Sequence, residues 1–524
     1  MKTLIHSVII FFSALLFAFS FPNSISLSGF FPLAFFAFIF FPYVIRESGW
    51  IRSAVYGGLY GFSSYVFYNF WLATFHPLAI FIVPVIYLFF GVILFLFLKA
   101  ADTLFPKYGY VIQALIWVCY EFLKTQGFLG YPYGIIGYSQ YSFIELIQIS
   151  DIFGVWGVSL LIALPSFILG KIGYDWFKSG TFRLQNYIPA AVGFLILFSG
   201  AIIYGLFSQV DYSESDTWRT GLVQQNVDPW HGGNRAYRES LRRSIRLSNQ
   251  ALREDPDIII WSETSFVPGI DWHTRYRTDQ ERYLIVQELI DYLAHQDVPF
   301  VIGNDDGQLE RDLETGDLQR VDYNAAILYE EGAIVDTYRK LKLVPFTESF
   351  PYEDILPAVY HWLQAADTHF WERGDEYTVF EAGGVRFSTP ICYEDTFGDL
   401  NRRFVQEGAQ IIANLTNDAW SHSVVAEMQH ATIAVFRSVE NRRSMVRSTN
   451  GGITCSIDPN GRFIDTIEPF VQAALVTEVP VFDEVETVYT RYGDWFAWLL
   501  LCVSFVLLIS KSGFLIYRRF REKG

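Results

Sequence analysis

The amino-acid sequence predicts a membrane protein in which a bundle of eight apolar helices carries one large polar α/β domain. Hydrophobic residues make up 51% of the 524 positions and aromatic residues 18%, which is too apolar for an ordinary soluble protein carrying this much charge. The apolar residues crowd into the first 208 positions and the last 30. Between them, short β-rich runs alternate with helix-like ones, the pattern of sheets covered by helices.

The apolar runs fall at about residues 4–19, 30–45, 55–73, 78–98, 109–123, 155–170, 188–207 and 495–509. Their lengths suit a hydrocarbon core of roughly 30 Å, with the fifth and sixth the shortest. The first could be a cleaved signal peptide, but a second apolar run follows at once, which favours an uncleaved anchor. The expected domains are residues 1–208 (seven helices), 209–493 (the polar domain) and 494–524 (the eighth helix and a basic tail).

Charge is partitioned in the same way. Residues 209–493 hold 25 Lys and Arg against 47 Asp and Glu, and the rest of the chain holds 14 against 8. An acidic domain argues against nucleic acid as a partner. Lys2, Arg46, Arg52, Lys99, Lys107, Lys171, Lys178, Arg183 and the tail residues Lys511, Arg518, Arg519, Arg521 and Lys523 all fall on one side of the alternating spans. Only Lys124 falls on the other. Basic loops stay in the cytoplasm, so both termini are expected there and the polar domain outside. The external loop 124–151 contains Gly130-Tyr131-Pro132-Tyr133-Gly134, suited to a bent interfacial segment.

Within the polar domain, strands are expected at 221–225, 257–261, 299–303, 410–415, 444–447 and 453–457, and helices at 235–254, 280–295, 398–406 and 425–441. Residues 325–339 carry a Glu331-Gly332 turn between β-rich arms, a hairpin signal. Residues 346–371 are apolar but interrupted by prolines, and are expected to form an irregular hydrophobic arm near the membrane.

Thr389-Pro390-Ile391-Cys392-Tyr393-Glu394-Asp395 is the stretch that carries chemistry. A β-rich run delivers a cysteine at its end, in the turn before a helix, where a thiolate could act as nucleophile. The alternative is a small buried hydrophobe. Two further segments bear on the choice. Asp257–Trp261 is a buried-strand run leading to Glu263, and Tyr338–Glu348 sets Lys340 and Glu348 eight residues apart around a proline turn. Lys340 and Lys342 would share a strand face, so geometry leaves both open as the cation.

In the order Glu, Lys, Cys, these segments resemble the triad of the nitrilase (carbon–nitrogen hydrolase) superfamily. The WSE, YRK…LVPF.E and CYE signatures resemble its membrane branch, the apolipoprotein N-acyltransferases. Leu222–Asn226, Asn417–Trp420, Gln429-His430, Arg437–Arg442 and Arg447–Gly452 echo that family as well. The resemblance implies an αββα sandwich and selects Lys340. It implies Cys392 as nucleophile, Glu263 as base and Lys340 as oxyanion clamp, with the Tyr393 N–H as second donor and Glu348 orienting the site. Glu394 and Trp230 would be supporting or substrate-binding residues. Trp230 lies nearer its strand than the family's tryptophan does, and Ser421-His422 replaces the usual Phe-Gly.

The implied activity is transfer of an acyl chain from a phospholipid to the α-amino group of a diacylglyceryl-cysteine on an apolipoprotein, in ping-pong steps through a Cys392 thioester. The inner membrane, with an outward catalytic domain, is the implied location. A membrane-anchored amidase using the same triad is the alternative. A transporter is disfavoured because Glu121 is the only clear ionisable residue inside a span. His430 reads as structural. No histidine–cysteine cluster has metal-ligand spacing and no phosphate-binding glycine loop is present, so neither metal nor cofactor is expected.

Overall fold

Side-chain alternation along short strands sets the layers of the polar domain. Ile258 and Ile260 enter a core shared with Phe387, Ile411, Ala413 and Val446, whereas Ile259 and Trp261 pack with Leu241, Leu247, Ile285 and Leu289 on the opposite face. Period-two alternation in an apolar run gives both faces of a strand something to bury. The result is two sheets face to face, with helices Asn234–Ala251 and Gln280–Leu293 covering the outer side of the first.

The computed structural model describes residues 2–75, 79–180, 184–228, 232–311, 316–365 and 370–522. The expectations attached to Leu78, Arg183, Trp230, Lys523 and residues 366–369 lie outside the described residues. By contact density the chain falls into two units. One comprises Met1–Gln209, Ser421–Glu440 and Thr487–Gly524, the other Val210–Trp420 and Asn441–Glu486.

In the second unit the strands are β1 (Thr217–Gln224), β2 (Ile258–Trp261), β3 (Phe300–Arg311), β4 (Leu318–Glu330), β5 (Ala333–Arg339) and β6 (Val379–Ala382). They continue with β7 (Val385–Ser388), β8 (Ile411–Thr416), β9 (Ser444–Thr449), β10 (Cys455–Ile457), β11 (Phe463–Thr466) and β12 (Ala473–Pro480). The first sheet has the order β12-β1-β2-β3-β4-β5 and the second β11-β10-β9-β8-β7-β6. The pairs β1/β2, β2/β3, β7/β8 and β8/β9 are parallel, and their C-terminal ends carry the turns described below.

The Glu331-Gly332 turn forms as expected, with Glu330 opposite Ala333. Both central residues have positive φ (50° and 85°), as a type I′ hairpin turn requires. The N-terminal part of β4 was not foreseen, because Leu318-Gln319-Arg320 is exposed and shows no apolar period. β12 pairs with β1, a partner far away in sequence. Within 346–371 a short helix, Pro357–Ala365, forms, and Ile355, Leu356 and Trp362 stay exposed.

In the first unit, five helices among the described residues are long and apolar enough to cross a membrane. These are Lys2–Ser20, Ile80–Leu104, Val155–Lys178, Ile188–Phe207 and Trp495–Arg518. Length and apolarity alone mark five of the expected eight, and the other three are shorter or less apolar. Serines and tyrosines dilute the hydropathy of Trp50–Tyr68, and Gly109–Leu123 has only 15 residues. The run 30–45 breaks into Phe31–Phe36 and Phe41–Arg46, each with a proline at its start, where the ring is tolerated, and neither continuing into the other. Trp50–Tyr68 packs closely on Ala79–Leu104. A Cβ on Gly61 would lie 2.0 Å from the Tyr87 carbonyl oxygen, and one on Gly57 2.2 Å from that of Gly91, the small-residue contact that lets membrane helices approach.

Helix Val424–Asn441 is largely part of this unit. Gln429 accepts from Trp71 Nε1 (2.9 Å) and donates to the carbonyls of Pro22 (2.9 Å) and Tyr68 (3.2 Å). The buried pair Arg437–Glu440 (2.9 Å) meets Tyr138 and the Val155 N–H at the start of a spanning helix. His430 packs on the ring of Tyr133.

Candidate active site

Three turns at strand ends build the site. β2 ends at Trp261, and Glu263 follows two residues later, almost fully buried. β5 ends at Arg339 and hands on directly to Lys340, whose N–H donates to the Asn324 carbonyl (2.9 Å). After β7, Ile391 bridges to Leu415 of β8, and Cys392 opens a 3-10 turn. A strand end gives each side chain a backbone that cannot easily move.

Lys340 is the centre of the charge network. Its side chain is completely buried, with Nζ 3.1 Å from Glu263 Oε1 and 2.8 Å from Glu348 Oε1. Burial opposes its charge, but the two carboxylates and the nearby Cys392 outweigh that and hold the ammonium well above its ordinary pKa. Each carboxylate has further donors. Glu263 accepts from Asn324 Nδ2 (2.8 Å) and the Asn417 N–H (3.0 Å), and Glu348 from the Val344 N–H (2.8 Å). Burial raises the Glu348 carboxyl against the pull of Lys340.

Lys342 lies elsewhere. Its Nζ sits 4.9 Å from the ring centroid of Phe397. The two lysines that strand periodicity left open are separated because β5 stops at Arg339 and the chain turns between them.

Cys392 is partly exposed and has φ of +50°. Such a conformation costs a non-glycine residue about 1–2 kcal/mol and persists only where neighbours enforce it. The enforcing contacts are visible. Asn414 Nδ2 donates to the carbonyls of Pro390 (3.1 Å) and Cys392 (3.2 Å). Glu394, fully buried, accepts from the N–H groups of Ile391 (2.7 Å), Leu341 (2.7 Å) and Lys342 (2.8 Å) and from the Tyr338 hydroxyl (2.8 Å). One carboxylate thereby ties the turn after Lys340 to the turn of Cys392. Burial pushes the Glu394 carboxyl up to about 7, against the lowering effect of those donors. Tyr393 is buried with its ring against Phe397.

Burial and the Glu263 charge push the Cys392 thiol well above its ordinary pKa, and Lys340 only partly offsets them. Asp418 and Glu348 add smaller contributions to that rise.

The structure thus brings Glu263, Lys340, Glu348, Cys392, Tyr393 and Glu394 into one site, while Trp230 lies outside the described residues. Asn324, Asn414 and Tyr338 were missed by sequence reasoning. The available signal was a polar residue inside an otherwise apolar buried strand (Asn324 in β4, Asn414 in β8), since a buried amide must be hydrogen-bonded. Among the described residues no cluster of three or more His, Cys, Asp or Glu could hold a metal ion.

Comparison with known proteins covers both units. A family model described as the apolipoprotein N-acyltransferase N-terminal domain matches residues 13–168, and the carbon-nitrogen hydrolase model matches residues 219–481. The chain is 41% identical to apolipoprotein N-acyltransferase 1 of Treponema denticola over 98% of its own length and 96% of that protein's. It is 37% identical to apolipoprotein N-acyltransferase 1 of Treponema pallidum, over 97% and 96% of the two chains. The apolipoprotein N-acyltransferase of Borreliella burgdorferi is 29% identical over 94% of each.

Proposed function

The chain belongs to the apolipoprotein N-acyltransferase family and is an acyltransferase of lipoprotein biosynthesis, and on that premise we propose that it works in ping-pong fashion through a thioester on Cys392. A phospholipid is the acyl donor, and the α-amino group of a diacylglyceryl-cysteine at an apolipoprotein N-terminus is the acceptor. The observation that carries this reading is the fully buried Lys340, held between Glu263 and Glu348 beside a partly exposed Cys392.

In the first half-reaction Glu263 takes the Cys392 proton as the sulfur attacks the ester carbonyl. Lys340 and the Tyr393 N–H stabilise the oxyanion, and removal of one such donor typically costs roughly 10²–10³ in rate. As the tetrahedral intermediate collapses, the C–O bond breaks and Glu263 returns the proton to the departing lysophospholipid. In the second half-reaction Glu263 accepts the proton of the incoming amine, the C–N bond forms, and the thiol leaves and is reprotonated. Glu348 orients Lys340, and Glu394 holds the Lys340 and Cys392 turns in register. Trp230 is assigned a supporting role in substrate binding.

We place the protein in the inner membrane with eight spans: the five long helices, the shorter 30–45 and 109–123 runs, and Trp50–Tyr68. The domains are 1–208, 209–493 and 494–524, with the catalytic domain periplasmic and both termini cytoplasmic. Ion pairing supports placing the basic loops on one common side. Glu47 meets Lys2 (3.5 Å) and Lys178 (3.1 Å), and Asp102 meets Arg46 (3.0 Å) and Lys99 (3.6 Å), so the basic loops assigned to the cytoplasm cluster together. The exposed Ile355, Leu356 and Trp362 suit an arm that contacts lipid.

Purified protein given phospholipid alone should release about one equivalent of lysophospholipid and then stall, as a covalent intermediate requires. Adding a diacylglyceryl-cysteinyl peptide should discharge the acyl group onto nitrogen. Continuous release of free fatty acid without an acceptor would instead identify a hydrolase built on the same triad.

A further inference from the structure

A second buried charge network lies behind the catalytic turns. Arg447 in β9 is 1% exposed, Asp395 is fully buried and Asp418 is 5% exposed. Arg447 Nη1 is 3.3 Å from Asp395 Oδ2, and Nη2 is 3.8 Å from Asp418 Oδ2. The two carboxylates come from different catalytic turns. Asp395 stands three residues after Cys392 in the same 3-10 turn, and Asp418 follows Asn417, whose N–H donates to Glu263. Arg447 lies opposite Asn414 in the β8–β9 ladder, the residue that grips the Cys392 carbonyl. Its neighbour Ser448 donates to the Ile260 carbonyl (2.8 Å) of β2, the strand that leads to Glu263.

We propose that Arg447 is a positioning residue of the acyl-transfer site: by bridging Asp395 and Asp418 it holds the turn bearing the nucleophile against the turn whose amide grips the base. The inference rests on the acyl-transfer reading for its function. Glu394 and Arg447 then divide one task. Glu394 ties the Lys340 turn to the Cys392 turn, and Arg447 ties the Cys392 turn to the Asn417 turn. All three reacting groups are thereby set relative to one another through two buried hubs. A guanidinium suits the second hub because its two terminal nitrogens lie within ion-pair reach of two carboxylates at once, which a single lysine ammonium on a flexible stem does not do with the same geometry.

The network also bears on charge. Asp418 is one of the groups that raise the Cys392 thiol, after burial and Glu263, with Lys340 opposing and Glu348 adding to the rise.

Arg447→Gln removes the guanidinium that pairs with two buried carboxylates and is expected to fold poorly, so the test uses Arg447→Lys and Asp418→Asn in the full-length protein. Two readouts are taken: the lysophospholipid burst, and the pH profile of Cys392 alkylation by iodoacetamide, resolved by peptide mass spectrometry. Arg447→Lys keeps the charge but loses the two-point bridge. Its burst should slow on the order of 10²-fold, as a misplacement of about 1 Å would cause, with KM for phospholipid changed less than about threefold. Asp418→Asn should lower the midpoint pH of Cys392 alkylation while thermal unfolding stays cooperative. An unchanged burst in Arg447→Lys, or a burst that falls only in proportion to the folded fraction, overturns the proposal. So does an unchanged alkylation midpoint in Asp418→Asn. Failure of the unsubstituted protein to give any burst would count against the acyl-transfer reading itself. The alkylation profiles need no acyl substrate and would still read the Arg447 bridge.

Discussion

Replacing Lys340 by alanine should remove both the proposed oxyanion donor and the cation paired with two buried carboxylates, and the two losses can be separated. The catalytic part is set by the oxyanion: loss of one donor costs roughly 10²–10³ in rate. The stability part follows from the geometry. Lys340 is completely buried at 3.1 Å from Glu263 and 2.8 Å from Glu348, and breaking a buried pair by removing one partner costs about 3–5 kcal/mol. Against a domain stability of roughly 5–15 kcal/mol, the variant should fold but unfold at a lower temperature. The penalty should depend on pH. Glu348 is raised by burial even with Lys340 present. A carboxyl whose folded pKa exceeds its unfolded value contributes stability below the unfolded value and loses it as pH rises through the folded one. The Lys340→Ala deficit should therefore grow from the weakly acidic range upwards and shrink on acidification. Lys342→Ala is the control. It gives up a contact with Phe397 and should leave the burst rate within about threefold. Burst kinetics and thermal unfolding at several pH values would measure both variants. If Lys342→Ala lost activity and Lys340→Ala did not, the assignment of the clamp would be refuted.

Cys392→Ala should abolish turnover while keeping a native unfolding transition, whereas Cys455→Ala, at a buried thiol in β10, should retain activity; a large loss there would mean the thiols are misassigned. Glu394→Gln would turn an NH₂ group towards two of four donors, so a loss of about 2–4 kcal/mol in stability is expected, read by denaturant unfolding, and a neutral result would remove Glu394 as the hub between turns. A cysteine at the exposed Arg311 position should react with a membrane-impermeant reagent in intact cells and one at Lys178 should not; the opposite pattern inverts the proposed topology. Gly61→Val should disrupt the helix pair Trp50–Tyr68 and Ala79–Leu104, because its Cβ would fall 2.0 Å from the Tyr87 carbonyl oxygen, and wild-type thermal stability in that variant would refute the close-approach reading.

The parts of the fold legible in the sequence were those whose cause is local. Ile258–Trp261 is a continuous apolar run with a β-branched majority, Gly398–Gln406 has a clean helical face, and Glu331-Gly332 can adopt the positive φ its hairpin needs. Elements whose stability comes from remote partners were not legible. The exposed start of β4 exists because β3 pairs with it, and β12 because β1 does. The spans other than the five long helices are less plain for a related reason. Trp50–Tyr68 and Gly109–Leu123 are apolar enough to attract notice, but part of their surface is satisfied by helix packing. At the site, the three signature residues were readable as motifs, since each sits beside a turn with distinctive chemistry. The choice between Lys340 and Lys342 was not open to strand periodicity. The structure sets the two apart by where β5 stops and by the donors that Glu394 collects from Leu341 and Lys342. Asn324, Asn414 and Arg447 act through contacts made only when distant strands come together.

The central claim is that acyl groups pass through Cys392, and intact-protein mass spectrometry tests it most directly. After incubation with phospholipid and no acceptor, the protein should gain the mass of one acyl chain, mapped to the Cys392 peptide and removed by neutral hydroxylamine as a thioester is. The adduct should be absent from Cys392→Ala and should disappear when a diacylglyceryl-cysteinyl peptide is added. An acyl mass that persists in Cys392→Ala, or full transfer to the peptide with no adduct ever trapped on Cys392, would contradict the account.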